Sequence, residues 1–354
     1  MAMNKGEWSE LYSILALLVD PKMNIVNDKF ECITNELYMI KDLTIEEKEN
    51  ILKYIIEDNN TVAIHFDNIL NGHINKSELN ESKIEILNAI NNNINNKGAF
   101  EIASSDNILN KMTINNIIKA KSTLKSDVKA TVFDSRFDDE RNLSYSIKSS
   151  LGSPATILNA SSHTNFIFEV TNLNIEDIEL INEINTSKKL KDRIQKIYDL
   201  GGEISFSSIS SNNFNYNLQL IDSSMPTYLA KTLLNSYSKD SKNLKKLFIE
   251  ANDFPDNEFA IRKLGDLLCG ISFGFFPSKQ WNGINEVNGG LIIVKRDGNV
   301  VVMDLVYFAE NVRKYLIENT KLDSPSSSRY NMLNLYVEDG RIYFTLNLQI
   351  RYES

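Results

Sequence analysis

Residues 127–149, DVKATVFDSRFDDERNLSYSIKS, decide the fold that the sequence predicts. Apolar and polar side chains alternate on both sides of the polar segment SRFDDERN, a pattern typical of two strands joined in a hairpin. One face of the first strand is apolar and carries Val128, Ala130 and Val132. One face of the second strand is polar and carries Ser144, Ser146 and Lys148. We therefore predict an antiparallel β-hairpin over this stretch.

The patterns around the hairpin predict an α/β (α+β) fold, in which a mixed central sheet is flanked by helices and extended by further hairpins. Helices are predicted for residues 7–19, which are apolar on most sides, and for 44–58, 77–95 and 226–250. Strands are predicted for 164–170 and for NYNLQLI at 215–221. Segments 289–305 and 333–352 each contain an Asp-Gly pair, which is typical of a hairpin turn.

Composition and motifs exclude several classes of protein. No run of about 18 apolar residues and no signal-peptide core is present, and with two cysteines no disulfide framework is expected, so the sequence predicts a cytoplasmic protein without membrane contact. The three histidines lack nearby Cys or His partners, which argues against a zinc site. Nucleotide-binding loops of the GxxxxGK[ST] or GxGxxG type and the GxSxG elbow are absent.

The net charge of −9 argues against a protein whose whole surface binds nucleic acid. A basic cleft on an otherwise acidic surface can still carry phosphate contacts, so a DNA enzyme is not excluded.

The hairpin brings one carboxylate and one lysine to the same edge of the sheet. Because its strands are antiparallel, Asp127 at the start of the first lies beside Lys148 near the end of the second. Glu10, on the predicted N-terminal helix, can pack over this edge. Asp127, Glu10 and the Ile147 backbone carbonyl are oxygen ligands suited to Mg2+, and Lys148 would act on a water in phosphodiester hydrolysis. A surface ion pair between Asp127 and Lys148 is the alternative interpretation.

Several long segments resemble the HpaII family of type II restriction endonucleases, in order and over nearly the whole chain. They are NKGEWSELY (4–12), SIKSSLGSPATILNAS (146–161) followed by TNF (164–166), ISFGFFPSKQWNG (271–283), TKLDSPSSSRYN (320–331) and LNLQIRY (346–352). The resemblance implies a divergent PD-(D/E)XK nuclease that cuts double-stranded DNA at CCGG, uses Mg2+ and has a cognate DNA methyltransferase as its genetic partner.

The resemblance also assigns the candidate catalytic residues. Lys148 resembles the lysine of the (D/E)XK element, Asp127 its first acid, and Glu10 the acid of the N-terminal helix. Ser146 departs from the pattern, because the family of folds normally carries Asp or Glu there. Glu169 is a candidate for the displaced acid, and Asp134 is a rival to Asp127 at the other end of the first strand.

The prediction divides the chain at residue 220. Residues 1–220 form the nuclease core, and residues 221–354 form a helix and hairpin region that packs on the core and contributes to DNA recognition. The candidate DNA-binding residues are Lys279, Gln280, Ser328, Arg329 and Arg351. Arginine can recognise guanine edges, whereas serine more often contacts phosphates. A palindromic target predicts a homodimer.

Two other classes of function remain open at this stage. A noncatalytic, sequence-specific DNA-binding protein on a decayed nuclease fold would explain Ser146. An α/β structural protein without a DNA role would agree with the acidic net charge.

Overall fold

The predicted hairpin is present and lies inside a ten-stranded sheet. The structure, a computed structural model, describes residues 1–47, 50–93, 98–114, 124–152 and 154–353. By contacts, the chain divides into one compact unit of Met1–Ala155 and Asn285–Tyr315 and another of Thr156–Ile284 and Leu316–Glu353. The functional division predicted at residue 220 stays a prediction.

The elements before residue 155 belong to the first unit. They are β1 (Ala2–Met3), α1 (Lys5–Val19), β2 (Ile25–Val26), β3 (Cys32–Thr34), β4 (Tyr38–Glu47), β5 (Asn50–Ile56), β6 (Thr61–Phe66), β7 (Ile69–Asn75), α2 (Lys76–Asn92), β8 (Phe100–Glu101), α3 (Ser105–Lys111), β9 (Val128–Asp134) and β10 (Asp139–Ser149).

The remaining elements follow in chain order. They are β11 (Thr156–Leu158), a 3-10 turn (Ser162–Thr164), β12 (Asn165–Thr171), α4 (Asp177–Asn182), α5 (Lys189–Asp199), β13 (Glu203–Ile209), α6 (Asn212–Ile221), α7 (Met225–Lys239), α8 (Leu244–Glu250), α9 (Asn257–Cys269), a π-helical turn (Gly270–Gly274), β14 (Gly290–Val294), β15 (Val300–Asp304), α10 (Ala309–Glu318), β16 (Thr320–Leu322), β17 (Tyr336–Glu338), β18 (Arg341–Asn347) and β19 (Ile350–Tyr352). None of the described helices is long and apolar enough to cross a membrane.

The first unit is built on the large sheet, whose strand order is β3-β2-β15-β14-β10-β9-β4-β5-β6-β7. The pairs β10/β14 and β15/β2 are parallel and the other pairs are antiparallel, so the sheet is mixed as predicted. Helix α1 contacts β4, β10, β14 and β15. The predicted α/β fold with a central mixed sheet and flanking helices is therefore confirmed.

Alternation along the hairpin explains its place in this sheet. Val128, Ala130 and Val132 are buried, whereas Lys129 between them is exposed. Strands β9 and β10 pair from Asp134 opposite Asp139 to Val128 opposite Tyr145. The apolar face packs in the core, and the opposite face of the hairpin carries the polar side chains.

The second unit contains two smaller sheets and most of the remaining helices. Strands β13-β12-β18-β17 form an antiparallel sheet of four, and β11-β19-β16 form a sheet of three. The two predicted Asp-Gly hairpins are present as β14/β15, in the first unit, and β17/β18.

Three of the predicted elements were wrong. Residues 44–47 form the end of β4 and residues 50–56 form β5, because alternate apolar side chains, Ile45, Leu52 and Tyr54, pack in the core. Residues 215–221 lie in helix α6, which the Ser211 side chain caps by accepting a hydrogen bond from the Phe214 N–H. The single helix predicted at 226–250 is two helices, separated at Asp240, whose φ is 54°.

Candidate active site

Asp127 and Lys148 meet at the end of the hairpin, where the antiparallel register was expected to place them. The Asp127 N–H donates to the Tyr145 carbonyl at 2.9 Å, which extends the ladder one residue beyond β9. The Lys148 Nζ atom lies 3.9 Å from Asp127 Oδ2. Both side chains are mostly buried, with 25% of Lys148 and 18% of Asp127 exposed, so this is not an ordinary surface ion pair.

Ser146 connects the two charged side chains. Its Oγ donates to Asp127 Oδ2 at 3.0 Å and accepts from Lys148 Nζ at 2.8 Å. Ser146 is 3% exposed, so both hydrogen bonds lie in a largely buried environment. The serine at the usual acid position therefore holds the acid and the lysine in one network.

Ile147 contributes both of its backbone groups to the same network. Its N–H donates to Asp127 Oδ2 at 2.6 Å, and its carbonyl oxygen accepts from Lys148 Nζ at 3.1 Å. Strand β10 runs past the start of β9, so its last backbone groups on that side need other partners. The charged side chains of Asp127 and Lys148 supply them.

Glu10 approaches this network from helix α1. The helix begins with a capping box in which Asn4 and Glu7 bond each other's backbone N–H groups, and this fixes its first turn. The pKa of Glu10 is raised to about 8, chiefly by burial and then by the charge of Asp127, while Lys148 acts in the opposite direction. The electrostatic influence of both residues indicates that Glu10 belongs to the same site.

Two residues close to the site, Lys125 and Glu286, were not predicted from the sequence. Lys125 lies ahead of β9, two residues before Asp127, and its charge interacts with those of Lys148, Glu286 and Asp127. Burial and then the charge of Lys148 lower the pKa of Lys125 to about 8, while Glu286 and Asp127 act to raise it. Its spacing of two residues before Asp127 was a signal that could have identified Lys125. Glu286 is distant in sequence and gave no comparable signal.

The donor set suits a hard cation that keeps several waters. Asp127 and Glu10 offer carboxylate oxygens, and Ile147 offers its carbonyl, which is the kind of set that Mg2+ accepts. Asp127 uses Oδ2 for its hydrogen bonds, and Oδ1 accepts none from the residues that the structure describes. A cation would offset the burial and the repulsion from Asp127 that raise the pKa of Glu10. Within the described ranges, no group of three His, Cys, Asp or Glu side chains could hold a metal.

Asp134 belongs to a different cluster. It is fully buried, accepts a hydrogen bond from the Tyr307 hydroxyl at 2.6 Å and lies 2.9 Å from Arg141 Nε. Seven residues along the strand separate it from Asp127, or roughly 23 Å. The structure thus places Asp127, and not Asp134, beside Lys148.

Glu169 lies on β12 in the second unit. Its carboxylate is 3.7 Å from the Arg341 guanidinium. It belongs to the four-stranded sheet, whereas Lys148 belongs to the ten-stranded sheet. The structure therefore gives Glu169 an ion-pair partner of its own, and its role as the displaced acid stays a prediction.

The candidate DNA-binding residues differ in accessibility. Lys279, Gln280, Ser328 and Arg329 are exposed. Arg351 is paired instead, with its Nε 3.4 Å from Asp323 Oδ2 and only 33% of its side chain exposed. Within the described part of the chain, the four exposed residues have no ion pair of this kind, whereas Arg351 would have to leave Asp323 before it could bind a ligand.

Asn217 fixes the loop that carries Lys279 and Gln280. This asparagine is fully buried in α6, and its Nδ2 donates to the carbonyls of Phe276 and Lys279 at 3.2 and 2.7 Å. Its Oδ1 accepts from the Trp281 N–H at 2.8 Å. The backbone of the loop is held while the side chains of Lys279 and Gln280 extend into solvent.

Comparison with known proteins gives a match over almost the full length. The family model described as HpaII restriction endonuclease matches residues 4–352. The type II restriction enzyme HpaII of Haemophilus parainfluenzae is 32% identical over 357 residues, which cover 99% of this chain and 98% of that enzyme. No solved structure matches the chain.

Proposed function

The chain belongs to the HpaII restriction endonuclease family of type II site-specific deoxyribonucleases, and on this premise we propose that it cleaves double-stranded DNA at the palindrome CCGG with Mg2+ as cofactor. The resemblance of the quoted segments to the family supports the target sequence. The carboxylate and carbonyl donors beside Lys148 support the metal.

One observation carries the catalytic assignment. Asp127, Ser146 and Lys148 form a continuous hydrogen-bonded network at one end of the hairpin, within electrostatic reach of the partly buried carboxyl of Glu10. A lysine and two acids gathered in this way at the strand ends of a sheet fit phosphodiester hydrolysis better than a structural ion pair, because burying these charges without a ligand costs free energy.

Each residue has a definable task in this chemistry. A bound Mg2+ would supply charge neutralisation and an activated water. Asp127, Glu10 and the Ile147 carbonyl would hold it, and Glu10 would first have to lose the proton that its raised pKa lets it keep. Ser146 and Ile147 hold the Lys148 ammonium in place, where it would orient the attacking water and stabilise charge on the phosphate.

Recognition and assembly complete the proposal. Arg329, Lys279 and Gln280 are proposed to contact base edges, and Ser328 to contact a phosphate, because all four are exposed. A homodimer would match the two-fold symmetry of a palindrome and let each subunit cut one strand. A cognate methyltransferase acting on the same site is proposed as the genetic partner.

A noncatalytic DNA-binding protein is the second candidate function. Ser146 supports it, since the site has one carboxylate fewer than the usual motif. This protein would bind DNA tightly without metal and would not cut it.

The test is to incubate the purified protein with unmethylated plasmid, with and without Mg2+, and to map the fragment ends. We expect discrete, Mg2+-dependent fragments that end at CCGG. Lys148→Ala should abolish cutting but keep DNA binding, whereas Lys129→Ala, a matched exposed lysine on the same hairpin, should cut normally.

The other outcomes separate the parts of the proposal. Ends at another short site would keep the nuclease and remove CCGG. Binding without cutting would favour the noncatalytic protein. Unchanged cutting by Lys148→Ala would remove this lysine from the site.

A further inference from the structure

Segment 286–289 forms hydrogen bonds to strand β10 and to the residues just ahead of strand β9, close to the proposed site. On β10 it bonds Ser144, which lies two residues before Ser146. Ahead of β9 it bonds Lys125, which lies two residues before Asp127. Side chains two residues apart on a strand share a face, so Ser144 is the neighbour of Ser146 on the polar face.

At β10 the segment engages every polar group of Ser144. The Ser144 N–H donates to Asn288 Oδ1 at 2.8 Å, and its carbonyl accepts from the Gly289 N–H at 2.8 Å. The Ser144 Oγ lies 2.6 Å from the Glu286 carbonyl and accepts from the Asn288 N–H at 3.1 Å. Ser144 is 7% exposed, so losing these bonds would leave buried polar groups unpaired.

Ahead of β9 the segment holds the backbone with a side chain. Glu286 Oε2 accepts from the Lys125 N–H at 2.8 Å. A carboxylate acceptor makes this a charge-assisted hydrogen bond, stronger than a neutral one. Residue 286 therefore bonds β10 through its carbonyl and the residues leading into β9 through its carboxylate.

These bonds set the register that the site needs. The parallel pairing of β10 with β14 starts directly after Ser144, at Tyr145 opposite Gly290. A slip of one residue would turn Ser146 and Lys148 to the other face of the sheet. The 2.6 Å bond from the Ile147 N–H to Asp127 also requires the start of β9 to stay level with this part of β10.

We propose that Asn288 and Glu286 are positioning residues for DNA cleavage, which hold Asp127 and Lys148 in the geometry of the site without contacting the reacting atoms. This inference rests on the proposed catalytic role of the Asp127, Ser146 and Lys148 network. Both residues are exposed, so their substitution should leave the core intact.

The experiment compares Asn288→Leu, which removes the acceptor at nearly constant volume, with Asn288→Asp, which keeps it. Exposed Asn285→Leu is the matched control. We expect Asn288→Leu to lower the single-turnover cleavage rate about 100-fold, since small misplacements of catalytic groups have effects of this size. DNA affinity measured in Ca2+ should change less than threefold. Asn288→Asp should recover most of the rate.

Glu286→Ala and Glu286→Gln form a second pair, because Gln keeps an acceptor for the Lys125 N–H. Hydrogen exchange without metal gives a measurement that is independent of cleavage. We expect faster exchange at residues 143–149 in Asn288→Leu and at 125–128 in Glu286→Ala, with unchanged exchange in the core of helix α1.

Three outcomes would overturn the inference: a normal rate in Asn288→Leu, an equal loss in Asn288→Asp, or a loss that follows the melting temperature alone. Failure of the proposed function is recognised separately, because Lys148→Ala would then cut DNA normally. If Lys148→Ala is inactive and Asn288→Leu is fully active, only the positioning role is lost.

Discussion

At the scale of single residues, Ser146 stands where the proposed nuclease motif would carry a carboxylate. An aspartate there would add a second negative charge beside Asp127, whose charge, together with the larger effect of burial, already raises the pKa of Glu10. The serine hydroxyl instead donates to Asp127 and accepts from Lys148. The site keeps its geometry with less repulsion, at the cost of one potential metal ligand.

Asp127 and Asp134 allow a direct test of which acid belongs to the site. We expect Asp127→Asn to lower the cleavage rate by roughly 10²–10³-fold, with little change in stability. Asp134→Asn should destabilise the fold by about 3–5 kcal/mol, because it breaks a buried ion pair with Arg141. Its folded fraction should still cut DNA. Single-turnover rates and chemical denaturation of both variants would check this, and an inactive but stable Asp134→Asn would reverse the assignment.

The raised pKa of Glu10 predicts a pH dependence of stability in the metal-free protein. Its carboxyl group holds a proton up to about pH 8 in the folded chain, against an ordinary value of 4.5. Between these values the unfolded chain has released the proton and the folded chain has not, so stability falls as pH rises. We expect Glu10→Gln to remove this fall, a gain on the order of a few kcal/mol at pH 8 relative to pH 5.

Urea denaturation in EDTA between pH 5 and 8 would measure this effect. Lys125, with its pKa lowered to about 8, loses part of its proton in the upper part of this range and acts in the opposite direction, so the comparison of wild type with Glu10→Gln isolates the effect of Glu10. Parallel pH curves for wild type and Glu10→Gln would show that Glu10 does not carry the raised pKa. Mg2+ should flatten the wild-type curve, because a bound cation favours the charged carboxylate.

At the scale of elements, the β9/β10 hairpin could be predicted because its alternation and its polar turn are local features. The strands at 44–47 and 50–56 could not, since Glu and Lys favour a helix there, while the burial of Leu52 and Tyr54 depends on contacts distant in sequence, such as the hydrogen bond from the Tyr54 hydroxyl to the Met112 carbonyl. The antiparallel register of β9 and β10 was enough to predict from the sequence that Asp127 lies beside Lys148. The hydrogen bonds of Glu286 and Asn288 join residues that are about 140–160 positions apart in sequence, so no local sequence pattern could predict them.

The β14/β15 pair gives a prediction about an element. Gly290 has a φ of +129°, and a Cβ there would lie 2.0 Å from the Met303 carbonyl oxygen. We expect Gly290→Ala to cost about 3 kcal/mol or more, from backbone strain and displacement of β15 together. Gly340→Ala is the matched control: its φ is +75° but the space around it is open, so about 1–2 kcal/mol is expected.

Thermal and urea unfolding of both variants would measure the difference. Equal costs would mean that β15 moves aside without penalty. Gly290 lies opposite Tyr145 in the parallel pair, so displacement at this point should also lower the cleavage rate of the folded Gly290→Ala protein.

At the scale of the whole molecule, a net charge of −9 means that DNA binding depends on a few local cations. The candidates that could supply them were predicted from their residue types and the family resemblance alone. Which of them are accessible was not predictable, because Arg329 and Arg351 have the same chemistry and differ only in their partners. Arg351 meets Asp323, a residue that also lies 3.3 Å from Lys242, so it is part of an ionic network within the second unit.

This difference separates the effects of two arginine substitutions. We expect Arg329→Ala to weaken binding to the target DNA, measured in Ca2+, by about 1–3 kcal/mol without lowering the melting temperature. Arg351→Ala should lower the melting temperature instead, because its Nε is buried and its loss leaves Asp323 with less positive charge nearby.

Binding isotherms at several salt concentrations also distinguish the kind of contact. A phosphate contact by Arg329 would reduce the salt slope by about one for every sequence, whereas a base contact would mainly reduce discrimination against mismatched sites. Normal affinity and discrimination in Arg329→Ala, together with a loss in Arg351→Ala at unchanged stability, would exchange the roles of the two arginines.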